Sequence, residues 1–199
     1  VGTELLLGNI VNTNAAYLAE QCARLGLSCF YQTVVGDNEG RLAQTLETAL
    51  GRSDVVILSG GLGPTQDDLT KETAARVMGR ALRRDDHSAK RLQEYFTRRK
   101  IELTENNWKQ AMVPEGAIVI DNENGTAPGI IIEEREKRVI LLPGPPGELI
   151  PMFEGAIAPY LAGATPGVIH SQTVKLCGIV ESNAETMVAD LIAGQGNPT

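Results

Sequence analysis

The amino-acid sequence predicts an α/β protein, a three-layer α/β/α domain with a mostly parallel sheet. Segments with helical spacing alternate along the chain with segments rich in β-forming residues, and this alternation is typical of such domains. Residues 54–59 contain the successive apolar positions Val-Val-Ile-Leu, a pattern that indicates a strand buried on both faces. A glycine-rich turn follows this run, as expected where a strand of an open sheet leads into a helix.

Helices and strands alternate through the first half of the chain. Asn12 can cap a helix and Gly26 can close it, because apolar residues recur at helical spacing between them. The predicted elements of this half are a helix at 12–26, a strand at 28–35, a helix through 42–50, a strand at 54–59, and a helix from Asp67 or Asp68 to Met78.

Strands dominate the second half after a polar helical segment. The composition changes to Gly, Ala, Thr and Pro around 163–167, and we place a domain boundary there, with 1–163 as one domain and 164–199 as a linker and an incomplete small segment. The predicted elements are helical structure at 86–111, strands at 117–120, 129–132 and 138–142, a hairpin turn at 133–137, a helix after 143–147, and one strand and one helix within 171–193.

Composition narrows the class of protein. The 199 residues carry a formal net charge of −7, which makes direct nucleic-acid binding unexpected. Three scattered cysteines and two histidines make a structural zinc site unexpected and favour reduced thiols in a cytoplasmic protein. No apolar run has the roughly 20 residues that span a bilayer. The chain opens at Val1 without a methionine, and we expect it to be a fragment.

The loop at 60–70 is the first candidate for chemistry. It follows a predicted buried strand, where an open α/β sheet places its ligand crevice. Gly60, Gly61 and Gly63 would let the backbone approach a ligand, and the helix start would favour an anion. Asp67 and Asp68 would suit a metal ion held together with substrate phosphates. The same residues could instead form a plain turn and a helix cap.

Four further polar loops, at 2–4, 36–38, 122–129 and 141–148, follow predicted strands or precede helices. The loops at 141–148 and 122–129 have the same strand–turn character, although Asn-Gly at 124–125 could be only a hairpin turn. Asp37 read alone is more often a turn residue than a catalyst. The candidate ligand-binding residues are Thr3, Glu4, Gly60, Gly61, Gly63, Thr65, Asn124, Gly125, Thr126, Pro143, Gly144 and Pro145.

Taken together, these motifs resemble the N-terminal domain of the competence/damage-inducible CinA family. The motifs are Gly-Thr-Glu-Leu-Leu-Leu-Gly at 2–8, Val-Gly-Asp-Asn at 35–38, Gly-Gly-Leu-Gly-Pro-Thr-Gln-Asp-Asp-Leu-Thr at 60–70, Thr-Glu-Asn-Asn at 104–107, Asn-Gly-Thr-Ala-Pro-Gly at 124–129 and Leu-Pro-Gly-Pro-Pro at 142–146. That domain is similar to the molybdopterin-binding domains of MoaB, MogA and gephyrin. The resemblance covers roughly 1–163, and 171–199 resembles the start of a KH-like segment.

The resemblance implies a MogA-type domain that hydrolyses ADP-ribose to AMP and ribose 5-phosphate with a divalent metal. Asp68 and Asp37 match the two aspartates that the molybdopterin relatives use. Leu62 is a departure, since those relatives usually carry threonine there, and the change removes a hydroxyl from the loop. The resemblance also implies a homodimer and, in full-length members, a C-terminal domain that deamidates nicotinamide mononucleotide.

As a hypothesis, loop amides and the helix start near Asp67 hold a phosphate. Asp68, helped by Asp67 or Asp37, binds Mg, Co or Mn, with a monovalent cation as a possible companion. The metal then neutralises developing charge and activates a water that attacks phosphorus. Two alternatives remain open: a molybdopterin- or nucleotide-binding or adenylyl-transfer module, and an oligomerisation scaffold for the missing deamidase domain.

Overall fold

A four-stranded sheet and its covering helices build the chain, for which a computed structural model describes residues 1–163 and 174–194. The strands are β1 (Val55–Ser59), β2 (Leu82–Arg84), β3 (Met112–Pro114), β4 (Ile118–Ile120), β5 (Gly129–Glu134) and β6 (Lys137–Leu142). The α-helices are α1 (Thr3–Leu6), α2 (Thr13–Arg24), α3 (Glu39–Leu50), α4 (Thr70–Val77), α5 (Asp86–Arg99), α6 (Pro146–Met152), α7 (Ala158–Ala162), α8 (Glu181–Met187) and α9 (Ala189–Gly194). A 3₁₀ segment covers Glu105–Ala111, and a π-helical turn covers Phe153–Ile157.

The main sheet has the strand order β1-β6-β5-β4. β1 and β6 are parallel, whereas β6 with β5 and β5 with β4 are antiparallel. β2 and β3 form a separate antiparallel pair. The sheet is therefore mixed, and its parallel part within the described strands is the β1–β6 pair. The hairpin between β5 and β6 turns through Arg135, which has a left-handed φ of 56°.

Two apolar clusters, one on each face of the sheet, give the three layers that the sequence predicts. One face packs α3 and α4 against Leu58, Ile130 and Leu141. The other face packs α2 and the helices after β6 against Ile131 and Ile140. Successive residues of β5 and β6 point to opposite clusters, so both strands are buried on both faces.

Side-chain caps fix the starts of three helices. Asn12 accepts a hydrogen bond from the amide of Ala15, and Asn38 accepts one from the amide of Arg41. Asp85 does the same for the amide of Ser88. These contacts satisfy amides that a helix leaves free at its first turn. The helices at 12–26 and 42–50 expected from the sequence are confirmed by α2 and α3.

Three local predictions are wrong. Residues 28–35 are not a strand, because no described strand lies beside them to pair with their backbone. α4 starts at Thr70 and not at Asp67 or Asp68, since bends and a turn cover 63–67 first. The helical segment at 86–111 breaks at Lys100, whose φ of 55° is left-handed, and resumes as the 3₁₀ segment.

The C-terminal part is described from 174 to 194. It holds α8 and α9, whose residues are mostly exposed, and 174–177 does not form a strand. The predicted linker at 164 onward and the start of the strand predicted there lie outside the described residues. Across 1–163 and 174–194, no helix combines the length and apolarity needed to cross a membrane.

Replacing the core residue Phe153 tests the packing of the outer helices on the sheet. Phe153 is fully buried, and its ring meets the Tyr17 ring edge-on at 6.0 Å. We expect Phe153→Ala to lower the free energy of unfolding by about 3–5 kcal/mol, measured by chemical denaturation. Phe30→Ala is the matched control, since Phe30 is 63% exposed and its loss is expected to change stability by less than about 1 kcal/mol. Equal losses in the two variants would contradict the packing described.

Candidate functional site

Two loops meet where β1 and β6 end side by side. The glycine loop (60–68) follows β1, and the proline loop (143–147) follows β6. The amide of Gly60 donates to the carbonyl of Leu142 at 3.0 Å, and a Cβ placed on Gly144 would lie 3.5 Å from Cα of Gly60. The loops are therefore held in direct contact at the carboxyl edge of the parallel strand pair.

Asn14 joins these loops to the start of α2. Its Nδ2 donates to Ser59 Oγ at 2.9 Å and to the carbonyl of Gly144 at 2.7 Å. One amide group thus spans the end of β1 and the proline loop. This arrangement closes one side of the site.

Glycine is required in the glycine loop for two physical reasons. Gly60 and Gly61 have φ of 93° and 69°, a left-handed conformation that glycine adopts without strain. A Cβ on Gly61 would collide with the Thr70 hydroxyl, and one on Gly63 would collide with the Asp68 carboxylate. Leu62 is 6% exposed and packs into the core cluster, so this position presents only backbone to the site.

Asp68 and Asp37, two aspartates singled out from the sequence, each accept hydrogen bonds from a threonine. Thr65 donates its amide, at 3.0 Å, and its hydroxyl to Oδ2 of Asp68. Thr3 donates its amide, at 2.8 Å, and its hydroxyl, at 2.9 Å, to Oδ2 of Asp37. In both cases the contacts hold one carboxylate oxygen in place.

Asp67 is exposed and ionised. Its pKa is lowered, mainly by the nearby Thr65 hydroxyl, then by its own backbone amide and more weakly by the charge of Lys109, while slight desolvation opposes these effects. Asp67 therefore carries a negative charge at the rim of the site at neutral pH.

The start of α4 is not the open anion site that the sequence suggests. Its first amide, of Thr70, donates to the carbonyl of Gly61 at 3.1 Å, and Thr70, Lys71 and Thr73 are buried. The first amide of α4 is therefore bonded to the glycine loop and is not free to bind an anion beside Asp67.

Two lysines fasten the glycine loop to the 3₁₀ segment. Lys109 Nζ donates to the carbonyl of Thr65 at 2.8 Å and to that of Asp68, and Lys71 Nζ donates to the carbonyl of Lys109. Glu72 lies 3.7 Å from Lys71 and 4.0 Å from Lys109. Burial lowers the pKa of Lys71 to about 8, and the charge of Glu72 opposes this effect.

The asparagine loop (122–126) packs against the proline loop. Asn122 Nδ2 donates to Glu148 Oε2 at 2.7 Å, and Asn124 Nδ2 donates to the carbonyl of Gly147 at 2.9 Å. A Cβ on Gly125 would collide with the Glu148 carboxylate. These contacts bring Thr126 to the cavity wall.

One cavity of about 1170 Å³ gathers most of the predicted site residues. Those that line it are Glu4, Asp37, Gly60, Gly61, Gly63, Asp67, Asp68, Thr126, Pro143, Gly144 and Pro145. Four others do not line it: Thr3 and Thr65 hold aspartates, Asn124 bonds to the proline loop, and Gly125 packs on Glu148. The structure therefore brings the predicted loops together around one cavity, and it separates lining residues from supporting residues, to which the sequence analysis gives the same role.

Sequence reasoning missed several supporting residues. Ser59 directly precedes the glycine loop, and its position at the end of a predicted strand could have marked it as a residue of the site. Asn14 reads as a helix-cap residue, and no local pattern distinguishes it from Asn12. Lys71 and Lys109 are 38 residues apart, so their contact is a property of the tertiary structure.

The acidic residues suit a particular kind of cation. Within the described residues, no group of three or more Asp, Glu, His or Cys side chains could hold a metal ion. Asp67 and Asp68 both line the cavity and offer carboxylate oxygens. Magnesium is usually held by one or two carboxylates together with waters and substrate phosphates. The pair fits a cation whose coordination a phosphate substrate completes, and it does not fit one held by protein alone.

Comparisons with known proteins agree with this architecture. A family model described as "Probable molybdopterin binding domain" matches residues 1–163. A CinA-like protein of Dictyoglomus thermophilum is 55% identical over 199 residues, which are 100% of this chain and 48% of that protein. The chain therefore spans about half the length of the curated relatives it matches.

Solved structures of other proteins have the same fold. The crystal structure of CinA from Thermoplasma acidophilum superposes with a TM-score of 0.72 at 36% identity, covering 77% of this chain and 91% of that one. The molybdopterin biosynthesis enzyme MoaB of Thermus thermophilus superposes with a TM-score of 0.53 at 16% identity, covering 85% of this chain and 94% of that one. The second similarity concerns the fold alone.

The buried Lys71 predicts a specific pH dependence of stability. Its pKa of about 8 lies below the usual value, so the unfolded chain binds more protons between about pH 8 and pH 10. The buried charge destabilises the fold below this window, and the penalty is relieved as the pH rises through it. We expect the stability of the wild type relative to Lys71→Met to rise by about 2–3 kcal/mol across the window.

Arg76→Met is the control for this pH series, because Arg76 is an exposed cation on the same helix and does not titrate there. The measurement is chemical denaturation at pH 7, 8, 9 and 10. A difference in unfolding free energy between the wild type and Lys71→Met that does not change with pH would contradict the burial of a charged lysine.

Proposed function

The chain belongs to the CinA family, within the larger family of probable molybdopterin-binding domains, and we propose that it hydrolyses the pyrophosphate of ADP-ribose to AMP and ribose 5-phosphate with a divalent metal. The observation that carries this proposal is the meeting of the glycine and proline loops beside Asp67 and Asp68. Two loops rich in glycine and proline at one wall and two carboxylates at the rim suit a diphosphate that binds together with a cation.

Charge supports the requirement for a cation. Asp67 stays ionised and Asp68 lies beside it, so an anionic pyrophosphate at this rim would be repelled. Asp67 and Asp68 would hold a divalent ion, which would offset this repulsion and neutralise the charge that develops on the leaving phosphate. Lys109, which lies behind the loop, is engaged with the carbonyls of Thr65 and Asp68.

The residues of the site have separate roles in the proposal. Gly60, Gly61 and Gly63 let the loop fold closely against Val1, Thr70 and Asp68, where a larger side chain would collide. Asp67 and Asp68 would hold the metal, with Thr65 orienting Asp68. Hydrolysis forms one bond from the oxygen of water to phosphorus and breaks one bond from phosphorus to the bridging oxygen. A site carboxylate accepts the proton that water releases.

The alternative, a pterin-binding module, depends on a side-chain hydroxyl at the position of Leu62. A pterin-binding loop with threonine at this position has a hydroxyl to offer, whereas Leu62 is buried in the core. This observation favours the hydrolase over the pterin-binding module. From the same family membership we also propose a homodimer and a C-terminal deamidase domain in the whole protein.

Replacing Asp68 tests the enzyme proposal directly. We expect metal-dependent release of AMP from ADP-ribose with Mg, Co or Mn, and a fall of about 100-fold or more in Asp68→Asn. Asp86→Asn, at a fully exposed aspartate on α5, is the matched control and is expected to keep full activity. Release that persists in a chelator, or that is equal in the two variants, would contradict the proposal. Tight pterin binding without any release would support the binding module instead.

A glycine replacement tests the loop geometry independently of charge. A Cβ at Gly63 would collide with the Asp68 carboxylate, whereas one at Gly147 meets no atom within 4 Å. We expect Gly63→Ala to slow AMP release by about 10- to 100-fold, because small displacements of catalytic groups are costly. Gly147→Ala, measured in the same assay and checked for its melting temperature, is expected to retain activity. Similar rates for the two variants would mean that the Asp68 position is unimportant.

A further inference from the structure

The cavity has a further acidic residue, Glu148, at the end of the proline loop. It lies in the first turn of α6 and lines the cavity together with Thr126. Asn122 Nδ2 donates to Oε2 of Glu148 at 2.7 Å, and no group in the described part of the chain donates to Oε1. The protein therefore holds one carboxylate oxygen and leaves the other able to accept a hydrogen bond.

The side chain of Asn122 is itself fixed by several contacts. It is buried, and its Nδ2 donates a second hydrogen bond to the carbonyl of Ala127 at 2.9 Å. Its Oδ1 accepts a hydrogen bond from the amide of Asn124 at 3.0 Å. Because the amide nitrogen and the oxygen are both engaged, Asn122 cannot turn away from Glu148 without losing other hydrogen bonds.

Backbone contacts fix Glu148 as well. Its amide donates to the carbonyl of Pro145 at 3.0 Å, and Asn124 Nδ2 donates to the carbonyl of the preceding Gly147 at 2.9 Å. Gly125 lies so close that a Cβ there would collide with the Glu148 carboxylate. The asparagine loop is thus folded around this one carboxylate.

Helix α5 fastens the start of the asparagine loop. Arg91 donates to the carbonyl of Asn122 at 3.2 Å and to Oε1 of Glu123 at 2.8 Å. The same guanidinium lies 3.4 Å from the Asp121 carboxylate. The loop that holds Glu148 is therefore anchored to a helix, which is how a precisely placed ligand contact is supported.

The surroundings of Glu148 limit what it can bind. It does not complete a metal site with Asp67 and Asp68, since the described residues contain no group of three or more Asp, Glu, His or Cys side chains that could hold a metal ion. A carboxylate accepts hydrogen bonds, and so do phosphate oxygens, so a diphosphate cannot satisfy Oε1. The groups of a nucleotide that can donate to it are hydroxyl and amino groups.

The ribose hydroxyls are the donors that lie nearest to a diphosphate. In ADP-ribose a ribose is bonded to the phosphate on each side, whereas the adenine amino group lies one sugar further away. Gly144 meets Gly60 where the two loops touch, and Glu148 follows Gly144 by one turn of chain. A diphosphate against the glycine loop therefore brings a ribose to Glu148. Acidic side chains bind ribose hydroxyls in the same way in dinucleotide-binding domains.

We propose, on the basis of the proposed hydrolysis of ADP-ribose, that Glu148 accepts hydrogen bonds from the hydroxyls of one ribose and makes the site selective for ribosyl diphosphates. The asparagine loop positions this carboxylate. Thr126 lines the same cavity with a hydroxyl that can join the contact. Glu148 is then a specificity-determining residue, separate from the aspartates that would hold the metal.

Ligands that lack ribose hydroxyls test this proposal. The full ligand is methylene-bridged ADP-ribose, which cannot be hydrolysed, and it is compared with two forms that lack the 2-hydroxyl of one ribose or of the other. Dissociation constants are measured by calorimetry with Mg for the wild type, Glu148→Ala and Glu148→Gln. Glu148→Gln keeps the size of the side chain and can still accept from Asn122. Glu136→Ala is the control, because Glu136 is exposed in the β5–β6 hairpin and does not line the cavity.

We expect the wild type and Glu136→Ala to bind one deoxy form about 10- to 100-fold more weakly than the full ligand, because a hydrogen bond to a charged group is lost. In Glu148→Ala the two ligands are expected to bind within about 3-fold of each other, and in Glu148→Gln the preference is expected to be at least about 3-fold smaller than in the wild type. A preference that is unchanged in either Glu148 variant with a wild-type melting temperature would overturn the proposal. A wild type that binds all three ligands equally would also overturn it.

Turnover of ADP-ribose separates this proposal from the proposed function. A wild type that prefers the ribose hydroxyls but releases no AMP would contradict the hydrolase and leave the role of Glu148 standing. A wild type that binds none of the ligands would contradict both. A Glu148 variant that hydrolyses ADP-ribose and its deoxy forms with equal losses would mark Glu148 as the group that takes the proton from water, and would overturn its role in binding the sugar.

Discussion

The parallel pairing of β1 with β6 determines where the glycine loop and the proline loop meet. It pairs Val55 with Arg138 and Ser59 with Leu142, so both strands end at the same level. The Gly60 amide continues the ladder by one further bond to Leu142, and the two loops then leave the sheet in contact. Ligand crevices of open α/β sheets form beyond the carboxyl ends of their strands for this reason. A shift in the register of the two strands would separate the glycine loop from the proline loop.

The glycine loop couples the core to the charged rim. Leu62 anchors its centre in the apolar cluster on one face of the sheet, and the Thr70 amide supports the carbonyl of Gly61 from below. Lys109 holds the far part of the loop through the carbonyls of Thr65 and Asp68, and Lys71 in turn holds Lys109. Packing and a buried cation together therefore fix the backbone that presents Asp67 and Asp68. This preorganisation is what an electrostatic mechanism needs, because the groups do not have to reorient during the reaction.

Local patterns predicted most of the elements, and the errors have a common physical cause. The apolar period of α2 and α3 and the successive apolar residues of β1 and β6 are local signals, and all four elements are present. The strand at 28–35 depends on a partner strand, so its β-forming sequence alone could not decide its structure. The loops of the site were identified from glycines and aspartates, whereas Asn14, Lys71 and Lys109 act through contacts between distant segments. Among the described strands, β2 and β3 pair only with each other, and they have no strong periodicity.

The glycine loop, the proline loop and Val1 line one cavity, and Thr3 holds Asp37 beside it. In the proposed function, a diphosphate binds in this cavity against the glycine loop. The most direct measurement is a titration of the isotope-labelled chain with ADP-ribose and Mg, followed by NMR shifts of the backbone amides. We expect the largest changes in chemical shift at the amides of Gly60, Gly61, Gly63 and Gly144. Shifts concentrated on the exposed face of α5, with none at these glycines, would contradict it.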